Sequence, residues 1–286
     1  MATVNPSHRS RSWLPVACAV ALISTVFSIE MGNPQAQESA DPIARVMRRF
    51  PAEEASQAVA VDDRYFYAIA SAAIGKYDKA TGRPVLKWVG EPQGRIAHLN
   101  SGVVLRGELY CAHSNYPHVP MESSIEAFDT KTMTHLRSMP LPAGHGSATW
   151  VDYGDGAWWV TFAHYSGRGG EPGKGSEATR LVRFTNDWRT AGEWTFPQPV
   201  VARWGEMSSS GGTLASRGVF YTTGHDAPEL YVLKRPRTGQ ALTLEEIVRV
   251  ESEGQGLALD RREHRLYTIQ RRTREVIVSV LPRVRE

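Results

Sequence analysis

Five histidines of this 286-residue chain sit in recurring polar settings. Three of them read Cys-Ala-His113-Ser-Asn, Phe-Ala-His164-Tyr-Ser and Thr-Gly-His225-Asp-Ala, while His98 and His145 each precede a short run of small residues. Imidazole is the commonest protein ligand for transition metals, and three such ligands with one open position make a reactive site. His113, His164 and His225 are therefore candidate ligands for a divalent transition metal (Zn, Mn or Fe). Glu206, His98 and His145 are the candidate catalytic groups. One of them would move a proton while the metal polarises a carbonyl or stabilises an enolate. That chemistry describes a lyase, isomerase or hydrolase acting on a small oxygen-rich substrate such as a lactone or sugar derivative. The bland alternative for each histidine is a strand-end residue bonded to backbone. For the whole chain it is a non-catalytic module that binds a ligand or a protein.

Such residues meet only if the chain repeats one structural unit. A recurring pattern is visible: alternating apolar residues, a turn, an aromatic-rich strand such as Ala157-Trp-Trp-Val-Thr-Phe, then a strand ending in an Asp turn. First strands are predicted over residues 57–62, 99–105, 147–152, 211–216 and 256–260. Their β-branched and aromatic content, bounded by Gly, Asp, Asn and Pro, is strand-and-turn chemistry, and no segment carries a sustained helical period. The starts are spaced by 42, 48, 64 and 45 residues, with a glycine-rich surface insertion, residues 167–175, in the long interval. This spacing suits an all-β propeller with four-stranded blades, five in number, or six if the long unit hides an extra half. The last unit lacks a fourth strand, which residues 43–50 would supply, closing the ring and covering an open edge.

In an antiparallel blade the first strand starts on the face where the second ends. Ser71, His113, His164, His225 and Arg271 fall at second-strand ends; Gln57, His98, Asn100, His145, Glu206 and Gln255 lie at or before first-strand starts. All should converge on one mouth of the central channel. Gln57, Asn100, Asn115, Gln255 and Arg271 are the candidate substrate-binding residues there. Trp158 and Trp159 read as packing between blades.

The formal charge is +3, and +2 once Arg9, Arg11 and Glu30 leave with a leader. No basic stripe for phosphate neutralisation is present, so nucleic acid is excluded as a partner and a small-molecule substrate and a monomeric state are expected. Arg261, Arg262, Arg265, Arg271, Arg272 and Arg274 do crowd the last unit and read as a solvated face. The leader is residues 1–37: Arg9 and Arg11 precede an uncharged apolar run over 13–29, followed by a polar stretch. Its removal leaves no stable membrane span, places the protein in the periplasm or outside the cell, and leaves one propeller over residues 43–282; retention as an anchor is the alternative. Without Cys18 only Cys111 remains, so no intrachain disulfide supports the fold.

His-Ser-Asn-Tyr-Pro, residues 113–117, and Thr-Gly-His-Asp, residues 223–226, resemble motifs of exported bacterial propellers loosely labelled cycloisomerase-like. More distantly, residues 218–231 and Ser56-Gln57-Ala58-Val59 are similar to patterns in five-bladed glutaminyl cyclases. This resemblance implies a five-bladed fold; the acidic residues those enzymes carry in their first two blades have no evident match here.

Overall fold

The computed structural model describes residues 41–283, so the predicted leader lies outside the described residues. Strand β1 (Arg45–Pro51) comes first in the chain. Blade 1 follows with β2 (Ala58–Val61), β3 (Tyr65–Ala70), β4 (Ala73–Asp78) and β5 (Pro84–Val89). Blade 2 runs β6 (Leu99–Leu105), β7 (Glu108–Ser114), β8 (Ser123–Asp129) and β9 (His135–Pro140). Blade 3 runs β10 (Ser147–Gly154), β11 (Ala157–Ala163), β12 (Arg180–Phe184) and β13 (Thr190–Thr195), after which comes the short helix α1 (Gln198–Trp204). Blade 4 is β14 (Gly211–Ser216), β15 (Val219–Thr223), β16 (Glu229–Lys234) and β17 (Thr243–Arg249). Blade 5 contains β18 (Ala258–Asp260), β19 (Arg265–Gln270) and β20 (Glu275–Val280), and borrows β1 as its outer strand. Five four-stranded antiparallel sheets thus form a five-bladed propeller, and the six-bladed alternative falls away. The extra length of the third unit goes into a loop and α1, not into further strands.

Local chemistry explains the regularity. Asp62, Asp78, Asp129 and Asp260 end strands on the face opposite the mouth. Each turns its Oδ1 onto the backbone N–H groups two and three residues ahead, at 2.6–3.1 Å. One carboxylate oxygen thereby satisfies two donors that a tight turn would otherwise leave unpaired. Second strands are buried on both faces, as β11 shows along its whole length, because a neighbouring blade covers each side. Outer strands such as β5 are almost wholly exposed.

The core is divided by blade interface. Phe50, Phe66, Tyr77, Tyr267 and Ile269 fill the seam between blades 5 and 1, with Phe66 stacked between Phe50 and Tyr77 at 5.3 and 5.0 Å. Tyr67, Ile69, Leu109, Cys111 and Phe128 fill the next seam, between blades 1 and 2. Trp158 faces blade 2 against Tyr110 at 4.8 Å, and Trp159 faces blade 4 against Phe220 at 4.9 Å. The adjacent tryptophans therefore pack between blades, on opposite faces of one strand, as the alternation of β side chains requires. The N-terminal segment joins three blades. Ala44 N and Arg249 O bond at 2.8 Å towards blade 4, β1 pairs with β20 in blade 5, and Phe50 stacks into blade 1.

Far from the mouth the channel is shut by a charge cluster. Asp152 Oδ2, 2% exposed as a residue, accepts from Thr213 Oγ1 at 2.6 Å, Leu214 N at 2.8 Å and Arg261 Nη2 at 2.6 Å. Arg261 also donates to Leu214 O at 2.7 Å, so blades 3, 4 and 5 are tied at one carboxylate. A space of about 40 Å³ remains beside Asp152 and Arg261.

Candidate functional site

At the mouth lies a cavity of about 120 Å³ to which all five blades contribute. Gln57 enters from blade 1, His98, Asn100 and Tyr116 from blade 2, and Thr149 and Tyr165 from blade 3. Met207, Ser210 and His225 come from blade 4, and Gln255 from the approach to blade 5. First-strand starts and second-strand ends do share this face, so the geometry that places Gln57, His98, Asn100, His225 and Gln255 together follows from blade topology. The aromatic wall of Tyr116 and Tyr165 has a direct signal in the chain, since each aromatic lies within three residues of a singled-out histidine. His98 lies against Tyr116 at 5.0 Å, and Tyr116 meets Tyr165 edge-on at 5.1 Å.

The polar wall is organised to accept hydrogen bonds. Gln57 anchors its Nε2 on Ser71 Oγ at 3.1 Å, Asn100 its Nδ2 on Ala148 O at 3.1 Å, and Gln255 its Nε2 on His225 O at 3.0 Å. Each amide thus holds the protein by its NH2 side and keeps its oxygen for another donor. The amide orientations follow from this network. The Thr149 hydroxyl is buried with no partner among the described residues. The lining includes no carboxylate, lysine or arginine.

His98 is the imidazole of interest. Its ring has no hydrogen-bonding partner among the described residues; burial pushes its pKa down to about 4, with repulsion from His113 and His225 adding to the effect. It is neutral at physiological pH and can accept a hydrogen bond. Burial also lowers His113 and His164, the latter with help from Lys174. The sign of the consequence is definite. These folded-state values lie below the ordinary imidazole value of 6.5, so the unfolded chain takes up protons first as pH falls. Stability should decline on acidification below about pH 6.5, with His98 contributing on the order of 2 kcal/mol between pH 7 and 5. Urea denaturation at the two pH values tests this: the difference should shrink in His98→Gln, and an unchanged difference would contradict the depressed value.

The expected three-histidine centre does not form. His113 Nε2 accepts from Ala97 N at 3.3 Å, which leaves Nδ1–H to donate to Ser124 Oγ at 3.0 Å. Ser124 Oγ passes on to Glu126 Oε1 at 2.6 Å, a buried carboxylate that also takes His135 Nε2 at 2.8 Å and Ser138 Oγ at 2.5 Å. His113 thus lies on the same strand face as Leu109 and Cys111, inside the seam between blades 1 and 2. His164 is buried beside Gly146, with Nδ1 3.3 Å from Glu171 Oε2. His225 Nε2 accepts from Arg271 Nη1 at 3.3 Å, and its Nδ1–H donates to Asp226 Oδ1 at 2.7 Å. Among the described residues no three His, Cys, Asp or Glu side chains come together in a way that could hold a metal ion. The donor set therefore does not fit the expected Zn, Mn or Fe, and no chemistry below passes through a metal.

Other expected residues also fall elsewhere. Glu206 is exposed; its carboxylate covers Gly167 and its carbonyl takes Ser166 N at 3.1 Å, outside the cavity wall. His145 leans on Phe162 at 5.0 Å, with Nδ1 3.9 Å from Glu193 Oε1. Asn115 braces its own loop, accepting from Glu122 N at 2.9 Å and donating to Pro120 O at 3.0 Å. Arg271 stands at the rim, behind His225. No helix among the described residues is long and apolar enough to cross a membrane.

No family model matches the chain, and no curated protein matches it. The motif likeness to cycloisomerase-like proteins thus stays a likeness of motifs. Solved structures do match. The glutaminyl cyclase of Myxococcus xanthus superposes with a TM-score of 0.57 at 14% identity, over 86% of this chain and 100% of its own. A gluconolactonase of Xanthomonas campestris gives 0.47 at 14% identity over 78% and 71% of the two chains. The WD40 repeats of RRP9 give 0.44 at 11% over 79% of each. Enzymes and repeat modules both stand among these neighbours, and at such identities what the chain shares with the cyclase is the propeller fold.

Proposed function

We propose that the channel mouth binds a small, oxygen-rich molecule bearing hydroxyl donors. The observation that carries this is the Thr149 hydroxyl, buried and without a partner among the described residues, on the wall of a cavity whose Gln57, Asn100 and Gln255 amides are anchored through their NH2 groups. A buried polar group without a partner is unfavourable by about 1–3 kcal/mol, so the Thr149 hydroxyl is a group that a hydrogen-bonding ligand completes. The aromatic faces of Tyr116 and Tyr165 give such a ligand an apolar side to rest on.

A catalytic reading is favoured by one further observation: His98, with both ring nitrogens unclaimed and its pKa displaced, is the cavity's proton acceptor. With a value near 4 it is a weak base at neutral pH, so it suits substrates whose proton is acidic or whose hydroxyl needs only orientation. Lyase, isomerase or hydrolase chemistry on a lactone or sugar derivative would run through His98, not through Glu206 or His145. The leader-like residues 1–37 support an exported, periplasmic or secreted setting.

The test is a ligand screen of lactones, sugars and hydroxy acids on the full chain, read by NMR at the His98 ring. A compound that shifts this signal should bind about tenfold more weakly to Thr149→Val and His98→Gln. Unchanged affinity in both variants would place binding elsewhere and overturn the reading.

A further inference from the structure

The arginines crowded on the last unit do not share a face. β19 separates them, with Arg261, Arg262 and Arg265 at the closed end and Arg271, Arg272 and Arg274 at the mouth. The mouth group surrounds an open basin of about 660 Å³ that shares Gln57 with the cavity below. Its three guanidinium groups face two carboxylates, Asp226 and Glu253, a surplus of one positive charge.

Arg271 connects the two levels. It donates through Nη1 to His225 Nε2 at 3.3 Å and through Nη2 to Asp226 Oδ1 at 3.1 Å. Two contacts leave three of its five N–H donors for something else. Its carboxylate partner is 71% exposed, and an ion pair so open to water is weak and readily exchanged. Arg272 pairs with Glu253 and is itself 80% exposed. Below them the cavity is lined by amides, hydroxyls, phenols, Met207 and the imidazoles of His98 and His225, with no carboxylate, lysine or arginine, so a charged group would lose much of its hydration there. Charge on the ligand has one place to go, which is the rim.

Resting on the ligand-binding reading above, we infer that the ligand is a small hydroxylated acid, its neutral hydroxyl-bearing part inside the cavity and its carboxylate on Arg271 at the rim. The carboxylate takes over from Asp226 as Arg271's partner, and the fork of the guanidinium fixes which end of the molecule enters. Neutral sugars of the same ring then bind by the inner contacts alone.

D-Glucuronate and D-glucose, the same ring with and without a carboxylate, are the probes, titrated against the full chain by NMR. Glucuronate should bind about tenfold tighter, as a charge-assisted pair at the rim implies. In Arg271→Gln the preference should drop below about twofold. Arg272→Gln leaves the His225 contact untouched and should lose only part of the preference, which separates lost charge from a displaced histidine. Equal affinity for the two sugars, or a preference intact in Arg271→Gln, overturns the acid inference and leaves the cavity reading standing. Binding of neither sugar, with the His98 signal unmoved, goes against the cavity reading and takes the inference with it.

Discussion

A chain cut to begin at residue 52 should fail to form a stable monomer. The cut removes β1 and with it the whole outer strand of blade 5, from the Arg45–Val280 pair to the Pro51–Glu275 pair. It also removes Phe50 from its stack on Phe66 and the Ala44 and Pro42 hydrogen bonds to Arg249 at 2.8 Å. The edge of β20 would then present a row of free N–H and C=O groups beside an opened core seam, which is a template for pairing with other chains. Size-exclusion chromatography with light scattering should show oligomers or aggregate in place of monomer. The milder Phe50→Ala, at a side chain 8% exposed, should lower stability by about 3–4 kcal/mol while the ring stays closed. A monomeric truncated chain with the melting temperature of the intact one would refute strand-borrowed closure.

Asp152→Ala should be the most damaging single polar substitution, at about 3–5 kcal/mol. The carboxylate is buried at the closed end of the channel and serves the Thr213 hydroxyl, the Leu214 amide and the Arg261 guanidinium together. Alanine leaves a buried N–H and a hydroxyl unpaired and strands a guanidinium that is less than half exposed. Asp152→Asn keeps an acceptor oxygen in place and removes the charge, so its loss should be roughly half as large. Chemical denaturation orders the three proteins, with Asp226→Asn as an exposed control expected within about 0.5 kcal/mol of wild type. If Asp152→Ala behaves like Asp226→Asn, the cluster does not tie the blades.

Blade count and strand positions were legible because propeller blades write themselves locally. Residues 99–105, 211–216, 84–89 and 229–234 are strands at the expected limits, since each alternating run breaks off within two residues of a turn residue, Gly107, Gly218, Gly90 and Pro236 in turn. Helix α1 was not legible: seven residues with apolar positions at Val200, Val201 and Trp204 make too short a run to show a period. The candidate site was legible in height and not in direction. A strand end fixes how far along the channel a residue lies, whereas the pleat decides which seam or opening its side chain faces. His113 continues the Leu109–Cys111 face and so disappears between blades. His225 lies past the end of β15, beyond Gly224, where strand alternation no longer governs it, and it reaches the mouth. Burial of Thr149 without a partner has no counterpart in any string of letters.

The borrowed strand also sets the order of events in folding. β1 and its partner β20 lie at opposite ends of the described chain, so the first described strand pairs with the last. Blades 1 to 4 are each local and can assemble as they are made, but the final seam waits for a contact that spans nearly the whole described chain. Closing so long a loop is slow relative to hairpin formation, which makes this the natural rate-limiting event. Until it happens the molecule is an open arc with two sticky ends, and it is during that interval that a partner able to hold unpaired strands would matter to it.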